Sequence, residues 1–92
     1  MTELTAVPGR VCLSRAGRDK GKYFLIMEAV DEQHVLVVDG RMRRLAAPKK
    51  KKLRHLILMH DVSESIGEKW QTGAKVFDAE VFSALTNMGY NN

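Results

Sequence analysis

Two apolar runs lie almost back to back, KYFLIMEAV at 22–30 and HVLVVD at 34–39, with only Asp-Glu-Gln between them. The first is rich in β-forming residues and bounded by turn residues, which predicts a strand buried on both faces rather than a helix. The second predicts another apolar strand. RVCLS at 10–14 alternates, with Val11 and Leu13 on one side and Arg10, Cys12 and Ser14 on the other, the pattern of a short strand. Asp39-Gly40 predicts a two-residue hairpin turn. RMRRLA at 41–46 then reads as an alternating return strand, ended by Pro48, which cannot pair in a ladder. LRHLILMH at 53–60 reads as a fifth strand. Five short strands with tight turns in about fifty residues predict a small, strongly bent antiparallel sheet or barrel. Closing such a sheet would remove its exposed edges.

The period changes in the tail. Asp78 reads as the N-cap of a helix over 79–88, with Glu80 in the first turn, where negative charge suits the helix dipole. Phe77 and Phe82 have the spacing of a hydrophobic staple. Val81, Phe82, Leu85 and Met88 form an apolar stripe, read as packing against the sheet, and Gly89 is a natural stop. In 61–75, SESIGEKW has room for a turn of helix. The expected organisation is one domain, a barrel over 1–60 with an extension over 61–92. Apolar content of 45% is too high for a disordered chain. The longest apolar run, YFLIM, is five residues, far short of a membrane span, and the N-terminus does not read as a signal peptide. A single cysteine, Cys12, excludes an internal disulfide and fits a reducing cytosol.

Charge is unevenly spread. Residues 9–55 carry a net +8 and residues 56–92 a net −3, within a total of +4. A basic front points to a polyanion, most often nucleic acid; the alternative is ordinary surface charge for solubility. Gly17 and Gly21 sit among Arg15, Arg18, Lys20 and Lys22. Exposed backbone N–H groups beside cations suit phosphate oxygens, and arginine forks onto phosphate with two bonds. A plain turn, with Asp19 paired to a neighbour, is the simpler alternative. On an alternating strand Arg41 and Arg43 would share a face and Arg44 would take the other. Lys49, Lys50, Lys51 and Lys52 follow Pro48 and are expected to be extended, splaying to both sides of a connection between strands. Lysine offers phosphate attraction without sequence choice. Arg54 and His55 extend the patch. Such a run also serves elsewhere as a solvated linker or a nuclear address.

The stretch GRVCLSRAGRDKGKYFLIMEAVDEQHVLVVDG resembles the KOW motif, a strand, a glycine-bearing loop and a second strand. With AGRDKG, VVDG, RRL, PKKKK and HL following in order, residues 9–60 resemble the bacterial KOW-domain RNA-binding proteins. These are similar to the large-subunit ribosomal protein called L-fourteen-e in archaea and eukaryotes. Relatives often begin the tail helix with Thr-Asp-Ala-Glu; here Phe77 replaces the hydroxyl residue. The resemblance implies an SH3-like β-barrel with a C-terminal helix packed on it, RNA binding, and a loop at 15–22 that meets RNA.

Catalysis finds no support. His34, His55 and His60 have no cysteine or carboxylate cluster at metal-ligand spacing, and there is neither a nucleophile elbow nor a GxxxxGK loop. The expectation is a cytoplasmic, non-enzymatic, ribosome-associated protein without cofactor or metal. Its partner would be structured ribosomal RNA, in the ribosome or another ribonucleoprotein, with the C-terminal helix open to a protein contact. The alternatives are an SH3-like protein-interaction module of the translation or transcription machinery, and a binder of double-stranded DNA.

Overall fold

Residues 4–92 are described by a computed structural model. Strands β1 (Arg10–Ser14), β2 (Tyr23–Ala29), β3 (His34–Val38), β4 (Lys49–Lys52) and β5 (Leu56–Val62) form one antiparallel sheet in the order β4-β3-β2-β1-β5. Helices α1 (Glu64–Thr72) and α2 (Asp78–Asn87) follow.

The unbroken apolar character of β2 has a direct cause. Successive side chains point to opposite faces, and both faces are covered. Phe24 and Ile26 join Cys12, Val35, Val37 and Leu56 in a cluster enclosed by the bent sheet. Leu25 joins Val11, Val38, Ile66, Val81 and Leu85 in a second cluster roofed by the helices. Phe24, Leu25 and Ile26 are each 0% exposed, and each such burial contributes about 1.5–3 kcal/mol. Register shifts between Ile26 and Glu28 in β2, and between Arg10 and Cys12 in β1, bend the sheet.

The barrel expected from the sequence does not close. β4 and β5 are the outer strands, and no ladder joins them among the described residues. The chain passes between them in a single 3₁₀ turn, Leu53–His55. Within that turn the Leu53 N–H donates to the Gln33 carbonyl at 2.7 Å, and the His55 carbonyl accepts the Arg15 N–H at 2.9 Å. The first bond extends the β3–β4 pairing and the second the β1–β5 pairing, so the gap between the outer strands stays open.

The expected strand at 41–46 is absent, and the lysines are the fourth strand instead. The Asp39 carboxylate accepts the backbone N–H groups of Arg41 at 2.9 Å and Arg43 at 2.8 Å. The Asp39 N–H donates in turn to the Arg43 carbonyl at 2.9 Å. This closes a tight turn rather than a two-residue hairpin. Past Pro48 the chain is extended and pairs with β3, with Lys51 opposite Val35 and Lys49 opposite Val37. The fifth strand starts at Leu56, not at Leu53, and runs to Val62, so the expected boundary at 60 falls inside it.

Both helices are fastened by close backbone contacts. A methyl group on Gly67 of α1 would strike the Pro8 carbonyl oxygen, and one on Gly40 would strike the Asp78 carbonyl oxygen. Asp78 is the first residue of α2 rather than its cap. Its carboxylate accepts the Leu45 N–H at 2.8 Å, tying the helix to the turn at 39–47. Phe77 is the N-cap and has no side-chain acceptor; Glu80 reaches back to the Phe77 N–H at 3.1 Å. The Phe77–Phe82 staple does not form: Phe77 is 58% exposed, beside Lys75, while Phe82 lies under Arg41. Gly89 does end the helix, with φ of 91° and the Tyr90 N–H donating to the Leu85 carbonyl at 2.9 Å. Tyr90 and Trp70 pack on the helix-side cluster, and the Tyr90 hydroxyl donates to Asp61. No helix of the described residues is long and apolar enough to cross a membrane.

Candidate nucleic-acid interface

β1 and β2 are joined by the loop at 15–22, closed at its base by Ser14 N–H to the Lys22 carbonyl (2.9 Å) and Gly21 N–H to the Ser14 carbonyl (2.8 Å). Gly17 and Gly21 have φ of 76° and 87°, and nothing lies within 4 Å of where a side chain would begin. Backbone conformation, not crowding, demands glycine here. The same open space leaves the loop accessible. Arg15, Arg18, Lys20 and the two glycines are exposed, and Lys22 is half-buried with its ammonium 2.8 Å from the Met42 sulfur.

Asp19, at the centre of this loop, turns inward and is 3% exposed. Its carboxylate meets the Lys51 ammonium at 3.0 Å and the Arg43 guanidinium at 3.0 and 3.3 Å. Burial pushes this carboxyl up, but the hydrogen bonds from Lys51 and Arg43 outweigh it and hold it below the usual carboxylate range. One acid thus gathers the loop at 15–22, the turn at 39–47 and strand β4, each of them cationic.

This arrangement divides the residues singled out from the sequence. Lys51 points inward, its side chain 9% exposed and 5.9 Å above the Phe24 ring. Its contacts are those of an internal counter-ion. Arg43 is half-committed to the same task, with 29% of its side chain exposed. Arg41 and Arg43 share no strand face, because they lie on a turn. Lys49, Lys50, Lys52 and Arg54 are exposed. As their alternation predicts, Lys49 and Lys51 share the Val35 and Val37 side of the sheet, and Lys50 and Lys52 take the other.

β4 is an edge strand, and its hydrogen-bonding parity can be worked out. Leu53 donates to Gln33. By antiparallel alternation, Lys51 with Val35 and Lys49 with Val37 are then the hydrogen-bonded pairs. The backbone groups of Lys50 and Lys52 therefore look out of the sheet. Beside them an open hollow of about 500 Å³ is lined by Ala16, Gly17, His34, His55 and the four lysines. Sequence reasoning missed His34, which the register places opposite Lys52. Its ring nitrogen is 2.9 Å from Asp31. Exposed Arg44, expected on the opposite strand face to Arg41 and Arg43, instead donates from Nε to the Arg41 carbonyl at 3.2 Å.

Other candidate chemistry is thin. Burial pushes the Cys12 thiol up to about 12, against smaller opposing effects of Lys51 and the Phe24 backbone, which leaves it an unreactive core residue. Phe24 is core, and the Tyr23 ring packs against that of Tyr90, centroids 4.8 Å apart and planes tilted by 53°. Among the described residues no three His, Cys, Asp or Glu side chains gather as a metal site. No protein-family model matches the sequence.

Proposed function

We propose that this protein is a non-catalytic RNA-binding module that holds structured RNA on its basic face. The observation that carries this reading is the Asp19 hub. It ties loop, turn and lysine strand together, loop and strand lining one hollow, while Arg15, Arg18, Lys20, Lys49, Lys50, Lys52 and Arg54 stay exposed. Exposed lysines and arginines suit phosphate neutralisation, which supplies affinity without sequence choice. The β1–loop–β2 hairpin is the strand–loop–strand arrangement that the KOW resemblance implies. That resemblance makes ribosomal RNA the RNA class we infer, and an SH3-like barrel left open at one seam the fold relationship.

If about four to six phosphates are contacted, the logarithm of affinity falls with the logarithm of salt at a slope of about −3 to −5. Affinity then drops on the order of 10²–10³ between 50 and 200 mM salt. Filter binding to a structured RNA measures this, and a flat response contradicts the proposal.

The free edge of β4 favours a second reading, strand addition by an acidic peptide. Lysine on an edge strand normally guards against such pairing, so RNA is the preferred partner. Pull-down after nuclease treatment separates the two, since only a protein partner survives loss of RNA.

A further inference from the structure

A second, smaller hollow lies away from the lysine strand, where the turn at 39–42 docks on the first turn of α2. It measures about 290 Å³ and is lined by Lys22, Asp39, Arg41, Met42, Phe82 and Asn92. That size suits one ring system rather than a run of nucleotides. The docking is tight: Gly40 has φ of 83°, and a methyl group there would meet the Phe82 N–H nitrogen at 2.9 Å. This brings the Arg41 guanidinium over the Phe82 ring, 4.0 Å from its centroid. Arg41 is also held at its backbone, where the N–H donates to Asp39 at 2.9 Å and the carbonyl accepts Arg44 Nε at 3.2 Å. The guanidinium is thus a flat cation held against an aromatic ring, on a backbone that the turn fixes.

Asp39 supplies the polar half. It is 3% exposed. Oδ1 is occupied by the amides of Arg41 and Arg43. Oδ2 has no hydrogen-bond partner among the described residues, and no buried side-chain oxygen there is left without one, so Oδ2 reaches accessible space. Asp39 lines the hollow, which places an unpaired acceptor beside a stacking platform.

The geometry points to a site for one unpaired guanine base of a bound RNA, stacked on Arg41 and read by the Asp39 carboxylate. This inference rests on the RNA-binding reading. Unstacked bases are held by stacking on aromatic rings or guanidinium planes and by hydrogen bonds to their Watson–Crick edges. A carboxylate oxygen accepts and does not donate. Guanine alone presents two adjacent donors, N1–H and the N2 amino group, on that edge. Uracil presents one N–H between two carbonyl oxygens, which repel the carboxylate. The site therefore discriminates guanine from uracil, with Lys22 at the rim for the neighbouring phosphate.

The test is fluorescence anisotropy with short oligouridines, one all-uridine, one with a single central guanosine, and one with inosine at that place, which lacks the N2 amino group. The guanosine oligomer should bind about 5- to 100-fold more tightly than all-uridine, and inosine should lose a large part of that gain. Phe82→Leu and Asp39→Asn should each abolish the preference while leaving the salt slope unchanged. The carboxamide of Asp39→Asn would keep an acceptor for the turn amides but turn a donor toward the base. Should Asp39→Asn fail to fold, Phe82→Leu and the inosine comparison decide alone. Equal binding of all three oligomers overturns the guanine site and leaves the RNA-binding reading standing. Failure to bind these oligomers and a structured RNA alike brings down both.

Discussion

Asp19 shows how one side chain can set the layout of a whole surface. Buried at 3% exposure, it is paired with two cations that come from distant parts of the chain. Asp19→Ala would leave Lys51 inside the fold without a counter-charge, and breaking such a pair costs about 3–5 kcal/mol. Urea denaturation should show a loss of that size, whereas Arg18→Ala, at an exposed neighbour, should change stability by less than about 0.5 kcal/mol. The pH dependence has a definite sign. The folded-state carboxyl is held below its unfolded value of about 3.9. Its contribution is therefore present above about pH 4 and is lost as pH falls through the folded-state value. Thermal unfolding followed between pH 2 and 6 should show a steeper acid loss for the wild type than for Asp19→Asn. Parallel curves would mean that the carboxylate contributes nothing when ionised.

At the scale of elements, β4 assigns different tasks to four identical residues. Lys50→Ala with Lys52→Ala should lower affinity for every RNA about equally and reduce the salt slope by about 1 to 2. Lys51→Ala should leave that slope nearly unchanged and lower the unfolding midpoint instead. A common effect of all the lysines on the slope would contradict the inward placement of Lys51. The same strand marks where sequence reading succeeds and where it fails. β2 and β3 were legible because burial on two faces writes continuous apolar runs, and β1 because its residues alternate. The end of α2 was legible because Gly89 is a local signal. Four lysines carry no β signal of their own; β4 exists because Pro48 extends the chain and β3 offers a free edge. RMRRLA imitates a strand by alternation alone. What decides against it is Asp39 capping the turn and Asp78 binding the Leu45 amide, the second a contact across 33 positions. The face expected to bind RNA was visible as composition. Its division into exposed and internal cations was not, because that depends on which side of a strand meets Asp19.

For the molecule as a whole, the charge asymmetry of the chain becomes a spatial one. Segments from the net +8 half converge through Asp19, while in the tail Glu80 pairs with Lys69 and the Phe77 amide, and Asp78 reaches back to the Leu45 amide of the turn. Docking of those helices needs bare backbone at Gly67 and Gly40. Gly67→Ala should therefore destabilise the fold by more than the helix preference for alanine, about 1 kcal/mol, would stabilise it, as chemical denaturation would reveal. The central claim, that one face organised by Asp19 binds RNA, is tested most directly by mapping backbone amide chemical shifts during titration with a structured RNA hairpin. The largest changes should fall on residues 15–22, 41–44, 49–52 and 54, with Lys69 and Lys75 quiet. Changes confined to α1 and α2, or no changes at low salt, would contradict the account.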